Sequence, residues 1–185
     1  ATITGDASYC QGTSTPTWSA TSSSAGSGSI SSYSWEVSGM QFGTSSTFQP
    51  PMIGTYDLII TNSNGCTNST SKTLSMNNKP SAGITNNDGT TELTCSQTSI
   101  SVSATGGGSY SWSNSLGSSA NQSLTSAGTY TVTVTDGNGC TDTESITISQ
   151  DVSTPTASIT NNTGVSELTC NTTSISLTAS GGSSY

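Results

Sequence analysis

The sequence predicts an all-β fold built from several small sandwiches, and three observations point to it. Apolar residues alternate with Ser and Thr, tight-turn dipeptides separate the alternating runs, and one block returns at a shift of 75 residues. Ile100, Val102 and Ala104 alternate with Ser and Thr, as do Tyr130, Val132 and Val134, and then Ile146 and Ile148. Each run reads as a strand with one buried face. No segment carries a 3.6-residue apolar period, so helices are not expected.

The repeat sets the domain organisation. Glu92-Leu93-Thr94-Cys95 returns as Glu167-Leu168-Thr169-Cys170, and Ile84-Thr85-Asn86-Asn87 returns as Ile159-Thr160-Asn161-Asn162. Ser99-Ile100-Ser101-Val102 matches Ser174-Ile175-Ser176-Leu177, and Tyr110 matches Tyr185. A more divergent first unit shares Tyr33-Ser34-Trp35 with Tyr110-Ser111-Trp112, and Gly54-Thr55-Tyr56 with Gly128-Thr129-Tyr130. It also shares Asn64-Gly65-Cys66 with Asn138-Gly139-Cys140. Units are expected at 1–79, 80–154 and, as the start of a third, 155–185, with short linkers at Pro80 and Pro155. The chain opens on Ala1 without Met and stops in mid-repeat, which reads as a segment of something longer.

Within a unit, Gly106-Gly107-Gly108 is the turn before the Trp strand. Thr135-Asp136-Gly137-Asn138-Gly139 is the hairpin joining the last two strands, because Asp-Gly and Asn-Gly supply the positive φ of tight turns. About seven short strands per unit predict an immunoglobulin-like β-sandwich. Trp35 and Trp112 then fall where such folds bury a mid-strand aromatic, and Tyr56 and Tyr130 open the penultimate strand at the place of a tyrosine corner. All four are expected in the cores. Trp18 and Lys72 stand where the second unit has Val102 and Ile146, so the first unit must pack differently in detail.

The run from Gly128 to Thr141, with Tyr110-Ser111-Trp112 before it, resembles repeats of giant Bacteroidetes surface adhesins. These include the SprB-type gliding-motility adhesins, whose repeats are similar to PKD and other immunoglobulin-like modules. The resemblance covers the second unit fully, the third as far as it goes and the first loosely. It implies export by the type IX secretion system, a bacterial cell-surface location, and a role in adhesion or gliding.

Composition narrows the alternatives. Roughly four residues in ten are Ser or Thr, unlike average globular usage. Only 29% are hydrophobic, which suits several thin cores better than one large one. Two Lys, no Arg and no His against ten acidic residues give a net charge of -8. Such a chain cannot neutralise nucleic-acid phosphates, and anionic lipid surfaces repel it. No apolar run is long enough for a membrane span, so direct insertion is not expected. Trypsin-like proteases have only Lys72 and Lys79 to cut after, and Lys79 precedes Pro80.

The commonest general base and metal ligand, His, is missing, and no base recurs at useful spacing from a Ser. The chain is therefore not expected to be an enzyme or to hold a cofactor. Calcium is the one metal to weigh, since Asp136, Asn138 and Asp142 offer hard oxygens around one hairpin. The uncharged Asn62, Asn64 and Asn68 replace them in the first unit, which favours turn chemistry. Glycosylation patterns at Asn68, Asn121, Asn161 and Asn171 are expected by chance in so Asn-, Ser- and Thr-rich a chain.

Five cysteines, Cys10, Cys66, Cys95, Cys140 and Cys170, suggest disulfide staples in a secreted protein. One scheme pairs them within a unit, Cys10 with Cys66 and Cys95 with Cys140. Strand order speaks against it. Cys95 precedes the second strand and Cys140 follows the final hairpin, at opposite ends of a sandwich roughly 23 Å long. A disulfide needs Cα atoms within about 7 Å. Stacking units head to tail brings those two ends together, giving the second scheme: Cys10 with Cys140, Cys66 to a preceding unit, Cys95 and Cys170 to later ones. Both remain open on sequence grounds.

Three functions follow. The leading one is a structural repeat segment of a secreted adhesin or filament, whose partners are the adjacent repeats and, at a distance, other cells or surface polysaccharide. A polysaccharide-binding module would need exposed aromatics clustered on one face, and Trp18 is the feature that favours a specialised first unit. A spacer within a secreted hydrolase is the third.

Overall fold

The computed structural model describes residues 1–182; Tyr185, matched above to Tyr110, lies outside them. Among the described residues every regular element is a strand. The first seven are β1 (Ser8–Cys10), β2 (Trp18–Ser19), β3 (Ile30–Val37), β4 (Met40–Gly43), β5 (Thr47–Phe48), β6 (Gly54–Asn62) and β7 (Thr67–Asn77). The next seven are β8 (Gly83–Asn86), β9 (Glu92–Thr94), β10 (Ile100–Thr105), β11 (Ser109–Trp112), β12 (Asn121–Leu124), β13 (Gly128–Thr135) and β14 (Thr141–Asp151). A hairpin-like pair, β15 (Ser158–Asn161) and β16 (Leu177–Ser180), follows.

The second sandwich packs a sheet ordered β12-β10-β8 against one ordered β11-β13-β14-β9. All its pairings are antiparallel except that of β9 with β14, which is parallel. This is an immunoglobulin-like arrangement: the first strand pairs one sheet's edge, then the chain crosses to line the last strand of the other sheet. The first sandwich repeats it, with β1-β7-β6-β3-β4 opposite the short pair β2-β5 and β1 parallel to β7.

Alternation explains the cores. In β13 the residues Tyr130, Val132 and Val134 are buried while the intervening Thr residues are not, and β6 repeats the pattern with Tyr56, Leu58, Ile60 and Asn62. Trp112, Ile100, Val102, Leu93, Leu124 and Ile148 complete the second core. Trp18, Trp35, Phe48 and Leu74 complete the first. The two cores share no residue, as expected of sandwiches that bury their apolar faces independently.

Each penultimate strand carries its tyrosine corner. The Tyr56 hydroxyl donates to the Met52 carbonyl at 3.0 Å and that of Tyr130 to the Ser126 carbonyl at 2.9 Å. Both span four residues, which fixes the bend by which the chain crosses between sheets. The tryptophan rings are tied similarly: Trp35 Nε1 donates to the Ser45 carbonyl and Trp112 Nε1 to the Ser119 carbonyl. Burial of these rings thus leaves no indole N–H unpaired.

The first sandwich differs where the sequence said it must. Trp18 is fully buried between Trp35 and Tyr56, with ring centroids 6.3 and 5.7 Å away. Its Nε1 donates to the Asp6 carbonyl at 2.6 Å. Lys72 places its ammonium 5.6 Å from the Trp18 ring centroid and also donates to the Gly5 carbonyl. The large indole thus replaces Val102, and a lysine stem with a capped charge replaces Ile146.

In β15 and β16, by contrast, Ile159 and Leu177 are exposed. Their counterparts Ile84 and Val102 pack against β11, β13 and β14, strands that have no equivalent after β16 among the described residues.

Candidate functional site: the junction between the two sandwiches

Five residues, 78–82, separate β7 from β8, and side chains from both sandwiches converge around them. The pole of the first sandwich is set by β1, whose last residue Cys10 sits opposite Asn77, the last residue of β7. Parallel pairing therefore delivers Cys10 to the end from which the chain leaves. The pole of the second sandwich is set by β8 and the turn between β13 and β14. Gly83 lies opposite Thr105, and Thr135 opposite Thr141, next to Cys140.

Cys10 and Cys140 are joined by a disulfide, with Cα atoms 5.5 Å apart and 130 residues between them in sequence. The within-sandwich alternative, Cys10 with Cys66 and Cys95 with Cys140, is not the one formed. Cys66, Cys95 and Cys170 are free and exposed. The reason is the polarity just described: within one sandwich the two cysteine positions lie at opposite poles, and only a neighbour brings them together.

The Cys140 turn is rigidly built. Asp136 accepts from the Asn138 N–H at 2.8 Å and from the Cys140 N–H at 2.9 Å through one carboxylate oxygen. Cys140 returns its carbonyl to the Asp136 N–H at 2.9 Å. An acidic side chain satisfying its own turn in this way presents the next cysteine in one orientation.

A second contact crosses the junction beside the disulfide. Lys79 donates to one Asp142 oxygen at 2.8 Å, and the Ala82 N–H donates to the other at 3.1 Å. The Lys79 hydrogen bond, and after it that of Ala82, holds the Asp142 carboxyl below its ordinary range. The Lys79 side chain is 50% exposed and that of Asp142 23%, so solvent screens the pair and it orients the linker more than it stabilises the fold.

The linker itself is seated by a glycine. Gly106 has φ +106°, and a Cβ there would lie 1.8 Å from the Ser81 carbonyl oxygen. Gly181 repeats this geometry against Thr156, with φ +101° and the same 1.8 Å. The close approach of linker and glycine therefore recurs beside the β15–β16 pair.

Of the three residues weighed for calcium, two carboxylates have other tasks: Asp136 caps its turn, and Asp142 holds Lys79 and Ala82. Among the described residues no group of three or more His, Cys, Asp or Glu could hold a metal ion. Trp35, Trp112, Tyr56 and Tyr130, with Trp18, are in the cores and form no surface platform. Sequence reasoning missed Lys79 with Asp142 and the glycine seat. The equal spacing of Gly106 and Gly181 from the prolines was the signal available for the latter.

No family model matches the sequence, and no curated protein does. Among solved structures, similarity is found to the amphioxus IgVJ-C2 molecule, at 15% identity over 77% of this chain and 99% of that chain, with a TM-score of 0.34. Fibronectin(III)-like modules of Clostridium thermocellum CbhA match at 12% identity over 80% of this chain and 95% of theirs, with a TM-score of 0.42. Murine CEACAM1b matches at 10% identity, covering 81% and 100%, with a TM-score of 0.35. The immunoglobulin-like assignment rests on the strand order and the two tyrosine corners.

Proposed function

We propose that this chain is a structural repeat segment of a secreted cell-surface adhesin or filament, with units bounded at 79/80 and 154/155. The observation that carries the reading is the Cys10–Cys140 bond, which ties one sandwich to the next instead of stapling either internally. A disulfide at that place does nothing for a single binding domain and much for an array that must keep its shape. Disulfides persist in oxidising compartments, which supports an extracellular location. The low count of lysines, with Lys72 over Trp18 and Lys79 on Asp142, suits exposure to proteases.

The finer reading is a stalk or shaft of a bacterial surface adhesin serving adhesion or gliding, exported by the type IX route. It rests on the resemblance of the Gly128–Thr141 run. Partners are adjacent repeats, and other cells or surface polysaccharide only through parts that the shaft would carry. A polysaccharide-binding role for this segment loses its main support, because Trp18 is buried. The spacer of a secreted hydrolase differs only in what is attached.

Small-angle X-ray scattering of the oxidised chain tests the reading. An elongated particle whose long dimension is that of sandwiches placed end to end is expected. A compact particle in which the sandwiches fold back on each other would overturn it.

A further inference from the structure

We propose that Cys66 and Cys95 are half-sites for further disulfides of the same polarity, each to a neighbouring repeat of this type. The proposal rests on the stacked-repeat reading and adds which thiol joins which. The cysteines fall into two classes. Cys10, Cys95 and Cys170 follow or end the strand that runs parallel to the last strand, or its counterpart in the third unit. Cys66 and Cys140 close the turn between the last two strands. The one bond present joins the first class to the second, from a leading sandwich to a following one.

Cys66 has the same seat as the bonded Cys140. Asn62 accepts from the Asn64 N–H at 3.0 Å and the Cys66 N–H at 2.9 Å, and donates its own N–H to the Cys66 carbonyl at 2.9 Å. Asp136 makes the same three bonds around Cys140. The register agrees as well, Thr61 opposite Thr67 and Thr135 opposite Thr141. A seat that orients a bonded cysteine is thus reproduced at a free one. Beside Cys66 opens a surface depression of about 240 Å³, lined also by Ala25, Ile30, Ile60 and Asn68. Asn68 holds the place that Asp142 holds at the junction, where the preceding linker docks.

Cys95 differs from Cys10 by one residue, and the linker differs by the same amount. Cys10 lies opposite Asn77, whereas Thr94 lies opposite Asp151, so Cys95 stands one position farther out. From Asn77 to the start of β8 at Gly83 is one residue shorter than from Asp151 to the start of β15 at Ser158. An added linker residue moves the following unit outward by up to about 3.3–3.6 Å, and a cysteine one residue farther along reaches after it. The two offsets compensate. Cys66 and Cys95 themselves face outward at the far poles of the two sandwiches, so each needs a partner on another repeat.

Bond formation requires an oxidant, and a low-molecular-weight disulfide serves. One thiol displaces half of that disulfide to give a mixed disulfide. The thiolate of the complementary class then attacks the protein sulfur, forming the inter-repeat bond and expelling the second half as a thiolate. The two cysteine sulfurs lose two electrons together, and the small disulfide becomes two thiols.

The test oxidises the purified 185-residue chain with oxidised glutathione and maps the products by chymotryptic digestion without reduction. A ladder of linked chains is expected, with Cys66 joined to Cys95 or Cys170 of another copy, and Cys66→Ser should lose the ladder. Cys66–Cys66 or Cys95–Cys95 peptides as the main products, or a ladder unchanged by Cys66→Ser, would overturn the proposal. Protein taken from its producing cells and alkylated at lysis separates the two sources of partner. Cys66 bonded in a band of single-polypeptide mass means a repeat of the same chain, and in a heavier band a second copy. Cys66 fully alkylated in that material also overturns the proposal. A rod-shaped particle with homotypic bonds would sink only this pairing rule, whereas a compact particle would sink the stacked array itself.

Discussion

Across the junction the Lys79 ammonium lies 2.8 Å from the Asp142 carboxylate, whose other oxygen takes the Ala82 N–H. The linker between the sandwiches is thereby held by the following sandwich's final strand. The Lys79 hydrogen bond first, and that of Ala82 second, stabilises the charged form and lowers the Asp142 pKa from its ordinary 3.8. A lowered folded value means that this contribution is complete above the unfolded value and disappears as pH falls through the folded one. Carboxyl NMR titration should place the Asp142 midpoint below 3.8, and Lys79→Ala should move it back upward. A midpoint indifferent to Lys79→Ala would mean that the ion pair does not form in solution.

Trp112 is buried in the second core with its indole N–H on the Ser119 carbonyl. Trp112→Ala removes the largest side chain of that core at a cost of about 3–5 kcal/mol, and the Ser119 carbonyl keeps its second donor, the Gln122 side-chain amide. Urea denaturation followed by the remaining tryptophans and by circular dichroism should show the second sandwich unfolding early while the first persists. A variant melting like the parent would place Trp112 at the surface.

Tyr130→Phe keeps the ring and deletes the hydroxyl that holds the Ser126 carbonyl. The loss should be about 0.5–1.5 kcal/mol, and Tyr56→Phe should match it in the first sandwich because the corner is the same. A cost near zero at both would show that water replaces the hydroxyl freely.

Gly106→Ala forces a side chain into a left-handed conformation and against the Ser81 carbonyl. We expect a destabilisation of about 1–3 kcal/mol. The displaced linker should also weaken the Lys79–Asp142 contact, which the same Asp142 titration would report as a rise in its midpoint.

Much of this architecture could be read in the chain. The alternation at Tyr130, Val132 and Val134 placed a strand because its buried face has a fixed period. The Asn-Gly-Cys turns showed where the last hairpin closes. The poles of Cys10 and Cys140 follow from strand order alone, which is why an inter-unit bond could be framed at all. Other features depend on how chains meet in space. Lys79 and Asp142 are 63 residues apart, and nothing in either neighbourhood announces the other. Trp18 in place of Val102 announced a different packing of the first unit, and as an aromatic with no counterpart in the second unit it was also the one feature that favoured a specialised binding role. Its ring instead fills a core that the two-residue strands β2 and β5 leave thin.

The bridge between Cys10 and Cys140 also redirects load. Tension applied at the two ends of the chain passes from Ala1 to Cys10, through the sulfur atoms, and on from Cys140, so residues 11–139 carry none of it. That closed loop, extended, would be on the order of 430–470 Å of slack. Oxidised, the segment cannot lengthen by unfolding those residues however hard it is drawn. Reduced, it becomes extensible, and a force–extension trace should gain that length only after a reductant is added. A surface fibre made this way has its compliance set by the redox state of its surroundings.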